Sequence, residues 1–322
     1  MKKTGKIIRS LALVLCILCL LQAGAFAAGR REEADTEYLN MENKVRFHYE
    51  WYSARDSLYL MIRMTPWDGQ VHSFRNVVFT LYRGNERVAV RETDIRGDYR
   101  RIDYFISFSG LTDGSYRLHT DLNVNGSDCW ADSDDYGDMM NIDHRKSTLF
   151  SDIPGGAWYE RAVAFVSLEG LMNGYGNGCF GPDDSLTRAQ MAQLFYNWKG
   201  APVVFVRDDY RDTCRNAWYA AAVSWATQKR LVNGYGNGCF GPEDAVTREQ
   251  FITVLYRFSG RCREEGSLGD FRDGAQVSGY AADAMVWAVN HGIVQGDSAG
   301  RLNPGSPATR AEIAKMLMSC FA

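Results

Sequence analysis

Three arginines in the second half of the chain follow a threonine at matching places, and their setting suits an anion. Arg188, Arg248 and Arg310 stand in the tetrapeptides TRAQ, TREQ and TRAE. A threonine followed three residues later by Gln or Glu is a capping box, in which each side chain accepts a hydrogen bond from the other residue's backbone N–H. The arginine is therefore predicted at the first helical position, where a cation costs roughly 0.3–1 kcal/mol against the helix dipole. Free N–H groups beside a guanidinium suit a carboxylate or a phosphate, so we expect an anionic partner.

An aspartate lies at a nearly constant distance upstream of each arginine. Asp152, Asp212 and Asp273 occur in FSD, YRD and FRD, 22, 22 and 23 residues before the first glycine of a loop. Each arginine could instead pair with one of these acids and tie two parts of its segment together. The sequence leaves both interpretations open, and each can hold for different copies.

The loop between the aspartate and the arginine is written identically in two places. GYGNGCFGP spans 174–182 and 234–242. The corresponding loop at 296–304, GDSAGRLNP, has the same length but differs at most positions. The first glycine is predicted to end the preceding helix as a left-handed cap, and the phenylalanine to enter the core. Tyr175 and Tyr235 offer a ring and a hydroxyl beside the arginine, a combination that suits a sugar. A tight turn with a packed tyrosine is the alternative.

These motifs belong to a unit that repeats three times with a period near 60 residues. Each unit is predicted to contain a helix, the glycine loop and a second helix. On the first helix, the helical spacing i, i+4, i+7 recurs in each unit with an aromatic at matching places: Trp158, Ala162 and Phe165, then Trp218, Ala222 and Trp225, then Tyr280, Ala284 and Trp287. On the second helix, apolar stripes begin at Met191, Phe251 and Ile313. The last stripe ends at Cys320, whose thiol is predicted to be packed rather than reactive.

Taken together, the F-x-D, G-Y-G-x-G-x-F-x-P and T-R-A-E motifs resemble the S-layer homology (SLH) domain over roughly 150–322. The resemblance implies three repeats, at 149–203, 204–265 and 266–322, that assemble as a mainly α-helical pseudo-trimer. It also implies noncovalent anchoring to the cell wall, through grooves between repeats that bind an acidic, often pyruvylated, secondary cell-wall polysaccharide. Carried over by position, the groove residues are Arg188, Arg248, Arg310, Asp152, Asp212, Asp273, Trp158, Trp218, Gly174 and Gly234.

The third repeat departs from the pattern. It has Asp297, Ser298 and Arg301 in the loop where the other copies have the tyrosine, a central glycine and a cysteine, and Tyr280 where they have a tryptophan. A groove built mainly on this repeat is therefore expected to be altered or silent.

The start of the chain has the features of an export signal. Lys2 and Lys3 begin a basic region, an apolar stretch follows at 11–21, and Ala25-Phe26-Ala27 is a small-x-small cleavage site. We expect residues 1–27 to be removed, the protein to be secreted to the cell wall and S-layer surface, and no membrane association to remain. A net charge of −3 without a basic stripe indicates no nucleic-acid partner. The six remaining cysteines contain no CxxC pair, so no metal site or cofactor is predicted.

The apolar residues in the first half of the chain follow a different spacing from those in the repeats. Six short apolar runs between about 42 and 125, separated by turn residues, predict an antiparallel, immunoglobulin-like β-sandwich at 28–127. The acid-rich stretch 128–148 is interpreted as a solvated linker. The whole chain is therefore predicted to be an α+β multidomain protein.

No catalytic set is apparent in the sequence, so the chain is not expected to be an enzyme. The ligand of the β-domain is left unknown. One alternative is an adhesin or carbohydrate-binding protein, which exposed aromatic rows among Trp51, Tyr52, Tyr59 and Trp67 would support. The other is a wall-processing enzyme, which an acid pair in a cleft of the first domain would support.

Overall fold

The computed structural model describes residues 32–38, 45–54, 56–133, 140–142, 150–207 and 209–321. The predicted export signal at 1–27 lies outside these residues, as does most of the stretch between Ser133 and Phe150.

In the described part of the chain, ten strands precede the first helix. They are β1 (Glu32–Tyr38), β2 (Val45–Ala54), β3 (Ser57–Pro66), β4 (His72–Arg83), β5 (Glu86–Glu92), β6 (Gly97–Tyr99), β7 (Ile102–Phe108), β8 (Gly114–Val124), β9 (Ser127–Asp132) and β10 (Met140–Ile142). One sheet has the order β1-β2-β3-β7, and the other has the order β10-β8-β4-β5, with β6 paired to β4 and β9 paired to β8. All these pairings are antiparallel. The predicted antiparallel sandwich is confirmed, whereas its immunoglobulin-like class is not.

Strand β3 of the first sheet is buried on both faces. On β3, Leu60 and Ile62 enter the core between the two sheets, while Tyr59 and Met61 belong to the core of the helical half. Phe105 on β7 meets Phe165 of the first helix with ring centroids 5.4 Å apart. An antiparallel sheet commonly leaves one face to solvent, and here the helical half covers that face.

Two strands lie in the stretch predicted to be an acidic linker, which corrects that expectation for residues 128–132 and 140–142. On β9, Cys129 and Ala131 are buried, whereas Asp128 and Trp130 face outward. Acidic residues on the outward face of a half-buried strand gave the stretch the composition of a linker.

Six α-helices follow in the described residues. They are α1 (Glu160–Leu168), α2 (Arg188–Trp198), α3 (Ala220–Gln228), α4 (Arg248–Phe258), α5 (Ala282–Asn290) and α6 (Arg310–Phe321). Each repeat supplies one short and one longer helix. The predicted stripes of the longer helices are confirmed: Met191, Phe251 and Ile313 are fully buried. Burial raises the pKa of the Cys320 thiol, in keeping with a packed side chain.

The three repeats close into a pseudo-trimer through their backbones. The N–H of Val246 donates to the carbonyl of Leu186 and that of Ala308 to the carbonyl of Val246, both at 2.8 Å. The ring is completed by Leu186 N–H and the carbonyl of Ala308, at 3.4 Å. All three residues are buried, so equivalent segments meet at a common axis.

The start and end of the first helix differ from the prediction. Because α1 begins at Glu160, Trp158 precedes the helix on which its spacing placed it, and it is 61% exposed. Trp218 and Tyr280 are likewise exposed. The helix ends at Leu168, and the left-handed residue after its cap is Gly170, with φ +67°, not Gly174. No helix among the described residues combines the length and the apolar character needed to cross a membrane.

Candidate functional site

The repeat arginines sit at helix starts fixed by capping boxes. Thr187 and Gln190 exchange side-chain and backbone hydrogen bonds, as predicted, and Thr247 does the same with Gln250. In the third repeat, Thr309 accepts from the N–H of Glu312, whose carboxylate accepts from the N–H of Thr309.

Each arginine side chain leaves its own repeat and enters the loop of the next one. Arg188 donates from Nε to the carbonyl of Phe240 at 2.8 Å and from Nη2 to the carbonyl of Asn233 at 2.7 Å. Arg310 makes the same two bonds to the carbonyls of Phe180 and Asn173, at 2.8 and 2.7 Å.

The second arginine completes the cycle. Arg248 donates from Nε to the carbonyl of Leu302 at 2.8 Å. The first repeat thus binds the loop of the second, the second that of the third, and the third that of the first.

Two of the arginines are buried against a loop tyrosine. Arg188 is 5% exposed and Arg310 is 7% exposed. Their Cζ atoms lie 4.7 Å from the ring centroid of Tyr235 and 4.9 Å from that of Tyr175. Desolvation by burial lowers the pKa of Arg310, which means that its charge is only partly compensated by the protein.

The tyrosines are held in place by an acid that the sequence analysis did not anticipate. The hydroxyl of Tyr175 donates to Asp184 and that of Tyr235 donates to Asp244, both at 2.9 Å. Both rings remain about half exposed. The sequence did contain a signal for this contact, since the first two repeats both have an aspartate three residues before the capping threonine.

The outer guanidinium nitrogen, Nη1, distinguishes the grooves. In Arg188 and Arg310 it has no hydrogen-bond partner among the described residues, since Nε and Nη2 make the bonds to the loop. In Arg248, Nη1 lies 2.8 Å from Oε1 of Glu312. The arginine of the second repeat is therefore neutralised by the protein itself.

The motif aspartates contact the loops and not the arginines. Each carboxylate accepts from two successive loop N–H groups at 2.7–2.8 Å, with Asp152 holding Phe180 and Gly181. Asp212 and Asp273 do the same in their repeats. In the described part of the chain these acids form no ion pair with the repeat arginines, so the predicted alternative of such a pair is wrong. Desolvation tends to raise the pKa of Asp212, but its backbone hydrogen bonds prevail and lower it.

The first glycine of the loop marks a close approach of backbone and side chain. A Cβ added to Gly174 would lie 2.6 Å from the Cys179 carbonyl oxygen, and one on Gly234 would lie 2.5 Å from that of Cys239. No side chain fits there, so these glycines shape the loop through packing.

An exposed aromatic from a further repeat completes the grooves. A cavity of about 250 Å³ is lined by Arg188, Tyr235 and Tyr280. Another of about 660 Å³ is lined by Arg248, Glu312 and Trp158. Each combines an arginine from one repeat, the loop of the next, and the aromatic before the first helix of the one after.

Trp218 is the third of these aromatics, after the two that line the cavities. It is 59% exposed, and the same cyclic order assigns it to the groove of Arg310. Tyr280 was not among the predicted site residues. Its position in the repeat alignment, opposite Trp158 and Trp218, was the signal that could have identified it.

The aromatic row predicted for the β-domain is not exposed. Trp51, Tyr52 and Tyr59 are all buried. Only Trp67 is exposed, at 53%, and the Arg46 guanidinium lies 4.6 Å from its ring centroid. Among the described residues, no cluster of His, Cys, Asp and Glu could hold a metal ion.

Comparison with known proteins identifies the repeats. The family model of the S-layer homology domain matches residues 149–192, 209–252 and 270–314. The surface-layer 125 kDa protein of Lysinibacillus sphaericus is 29% identical over 51% of this chain and 14% of its own length. The cellulosome-anchoring protein of Acetivibrio thermocellus is 29% identical over 44% and 33%, and an exoglucanase of the same species is 23% identical over 58% and 18%. The chain thus spans at most a third of the length of these three relatives.

Proposed function

We propose, for a chain whose C-terminal half belongs to the S-layer homology domain family, that the repeats hold it on the cell wall by binding an acidic polysaccharide. The match to the S-layer homology domain and the similarity to a surface-layer protein support a location at the cell surface. The finer proposal is that the polymer is a secondary cell-wall polysaccharide bearing carboxylates such as pyruvate ketals. We further propose that the chain acts by binding, without catalysis.

The observation that carries the proposal is the unused Nη1 of Arg188 and Arg310. Each guanidinium is buried and fixed by two carbonyls, and carbonyls supply no counter-charge. Asp184 and Asp152 act on Arg310 only electrostatically, without a direct ion pair, and its charge stays partly uncompensated. A buried cation that lacks a direct ion-pair partner is costly, and an incoming carboxylate lowers that cost. A charge-assisted hydrogen bond to a preorganised guanidinium is among the stronger polar contacts that proteins make.

The rings around each arginine suit the sugar that would carry the carboxylate. Tyr175 and Tyr235 are half exposed above the guanidinium. Tyr280 lies across the groove of Arg188, and the cyclic order of the repeats assigns Trp218 to the groove of Arg310. Flat aromatic faces pack against the C–H face of a pyranose, while hydroxyls at their edges provide hydrogen bonds. We therefore propose two working grooves, one at Arg188 and one at Arg310.

The groove of Arg248 is proposed to be silent toward an acid. Its Nη1 position is taken by Glu312, and its loop has Asp297 in place of the tyrosine. A carboxylate entering this groove would meet two acids and an arginine that is already paired.

The chain offers its own matched control for this proposal. Arg188→Gln and Arg310→Gln remove the free Nη1, whereas Arg248→Gln removes an equivalent helix-start arginine and its loop bond without removing a free donor. We expect the first two to weaken cosedimentation of the full chain with purified cell walls by about tenfold each, the size of one charged hydrogen bond. Arg248→Gln is expected to bind as the unsubstituted chain does. Equal losses in all three variants, tracked by equal losses of thermal stability, would refute a ligand role for Nη1.

A further inference from the structure

Three rings form a row on the outward face of the second sheet, far in sequence from the repeat grooves. Trp130 on β9, His119 on β8 and Tyr82 on β4 lie on three neighbouring strands. The rings of His119 and Trp130 stack with centroids 5.7 Å apart, and Tyr82 meets His119 edge-on at 6.2 Å. Trp130 leaves 47% of its surface exposed. Alternate side chains of β8 and β9 face outward, and they thus form an aromatic surface on an otherwise polar face of the sheet.

Two carboxylates and an arginine hold the row in place. Asp132 contacts the Arg117 guanidinium and lies 3.0 Å from Nδ1 of His119. Asp121 lies 3.2 Å from Nε2 of the same histidine, and Arg117 packs over Tyr82 at 4.6 Å from the ring centroid. Because the side chains are already fixed, a ligand that docks here pays little conformational entropy.

The row lines an open pocket of about 410 Å³ together with Asn85. Its arginine is paired with Asp132 and its histidine faces two carboxylates, so the pocket offers no unpaired positive charge to an anion. The amide of Asn85, the carboxylates and the guanidinium surround the exposed part of the Trp130 indole. This composition suits an uncharged ligand with one apolar face and a rim of hydroxyl groups.

A protein partner fits the surface less well. A stable protein interface buries on the order of 1,200–2,000 Å² and has a core depleted in charged residues. Here charged side chains reach the edge of a single indole, since Asp121 and Asp128 are exposed beside Trp130.

We propose that this pocket is a second saccharide site, which binds a neutral hexose or N-acetylhexosamine unit stacked on Trp130. The side chains of Asn85, Arg117 and Asp132 would receive its hydroxyl groups. The site is independent of the repeat grooves, whose free arginine nitrogens call for an acidic ligand. It gives the β-domain a carbohydrate-binding role besides anchoring.

The test uses the full chain and defined probes. Tetramers of β-1,4-linked N-acetylglucosamine, β-1,4-linked glucose and α-1,4-linked glucose are titrated by calorimetry up to about 10 mM, where even weak binding with a millimolar Kd is visible. Polygalacturonate serves as an acidic comparator. Trp130→Ala is compared with Trp67→Ala. Both tryptophans are about half exposed, Trp67 lies against Arg46, and Trp130 lines a pocket together with Arg117.

We expect a neutral tetramer to bind, with affinity at least about tenfold lower in Trp130→Ala, unchanged in Trp67→Ala and largely restored in Trp130→Tyr. Wall cosedimentation should not depend on Trp130, and tetramer binding should survive Arg188→Gln with Arg310→Gln, so the two proposals fail separately. The inference is overturned if no neutral tetramer binds, if both tryptophan variants lose binding equally, or if the acidic comparator alone binds through Trp130.

Discussion

Glu312→Gln should open the silent groove without disturbing the fold. Oε2 of Glu312 accepts from the N–H of Thr309 at 3.0 Å, and Oε1 lies 2.8 Å from Nη1 of Arg248. The other two repeats carry Gln190 and Gln250 at this position, and their amide oxygens make the same capping bond at 2.9 and 3.1 Å. The substitution therefore keeps the cap and removes the counter-charge.

The cost to stability follows from the exposure of the pair. The side chains of Arg248 and Glu312 are 14% and 31% exposed, so their ion pair contributes about 1 kcal/mol or less after solvent screening. The free energy of unfolding should fall by no more than that. The freed Nη1 can form a charge-assisted hydrogen bond to a ligand carboxylate, a contact worth about 1.5–3 kcal/mol. The new site should be weaker than the other two, because its loop has no tyrosine to stack on the sugar.

The assay is the number of sites per chain. Calorimetric titration with a purified fragment that carries one acidic sugar should give two sites for the unsubstituted chain and three for Glu312→Gln. The reverse change, Gln250→Glu, places an acid in the groove of Arg188 and should leave one site. A count of two in all three proteins, or of three in the unsubstituted chain, would show that this position does not control access.

Two further predictions concern the loop. Gly234→Ala brings a methyl group into the Cys239 carbonyl and should cost about 1–3 kcal/mol of unfolding free energy; denaturant melts should show no such loss for Gly279→Ala, where nothing lies within 4 Å of an added Cβ. Asp212→Asn weakens two backbone hydrogen bonds of an exposed carboxylate, so it should cost about 1 kcal/mol at pH 7. Because the folded pKa of Asp212 is lowered, its contribution is present above the unfolded value of about 3.9 and is lost as pH falls through the folded value. The two melting curves should therefore converge at lower pH, and a constant difference would contradict the assignment.

The sequence predicted the parts of the site that depend on local pattern. Threonine and its partner three residues on specify a capping box wherever the helix goes, so the helix-start position of Arg188 followed directly from TRAQ. The burial of Phe180 and of the second-helix stripes followed from spacing in the same way. The partners of the arginine did not, because they are carbonyls of another repeat, brought near only when the pseudo-trimer closes.

Some residues were placed wrongly from the sequence for the same reason, because their neighbours come from distant parts of the chain. Trp158 fits a helical spacing in the sequence, but the helix begins two residues after it, and its neighbours in the groove come from the second and third repeats. In the β-domain, Tyr52 and Tyr59 have the alternation of an exposed strand face. They are buried because the helical half packs on that face. The residue pattern within a strand cannot predict such packing between distant parts of the chain.

The acidity of the wall polymer is the property on which the proposed binding depends most directly, and cosedimentation of the full chain with purified walls can test it. Walls are compared before and after mild acid hydrolysis of their pyruvate ketals. We predict that binding is lost with the ketals and that Arg248→Gln follows the unsubstituted chain on both preparations. Undiminished binding to the hydrolysed walls would contradict the claim that Arg188 and Arg310 hold the chain by a carboxylate.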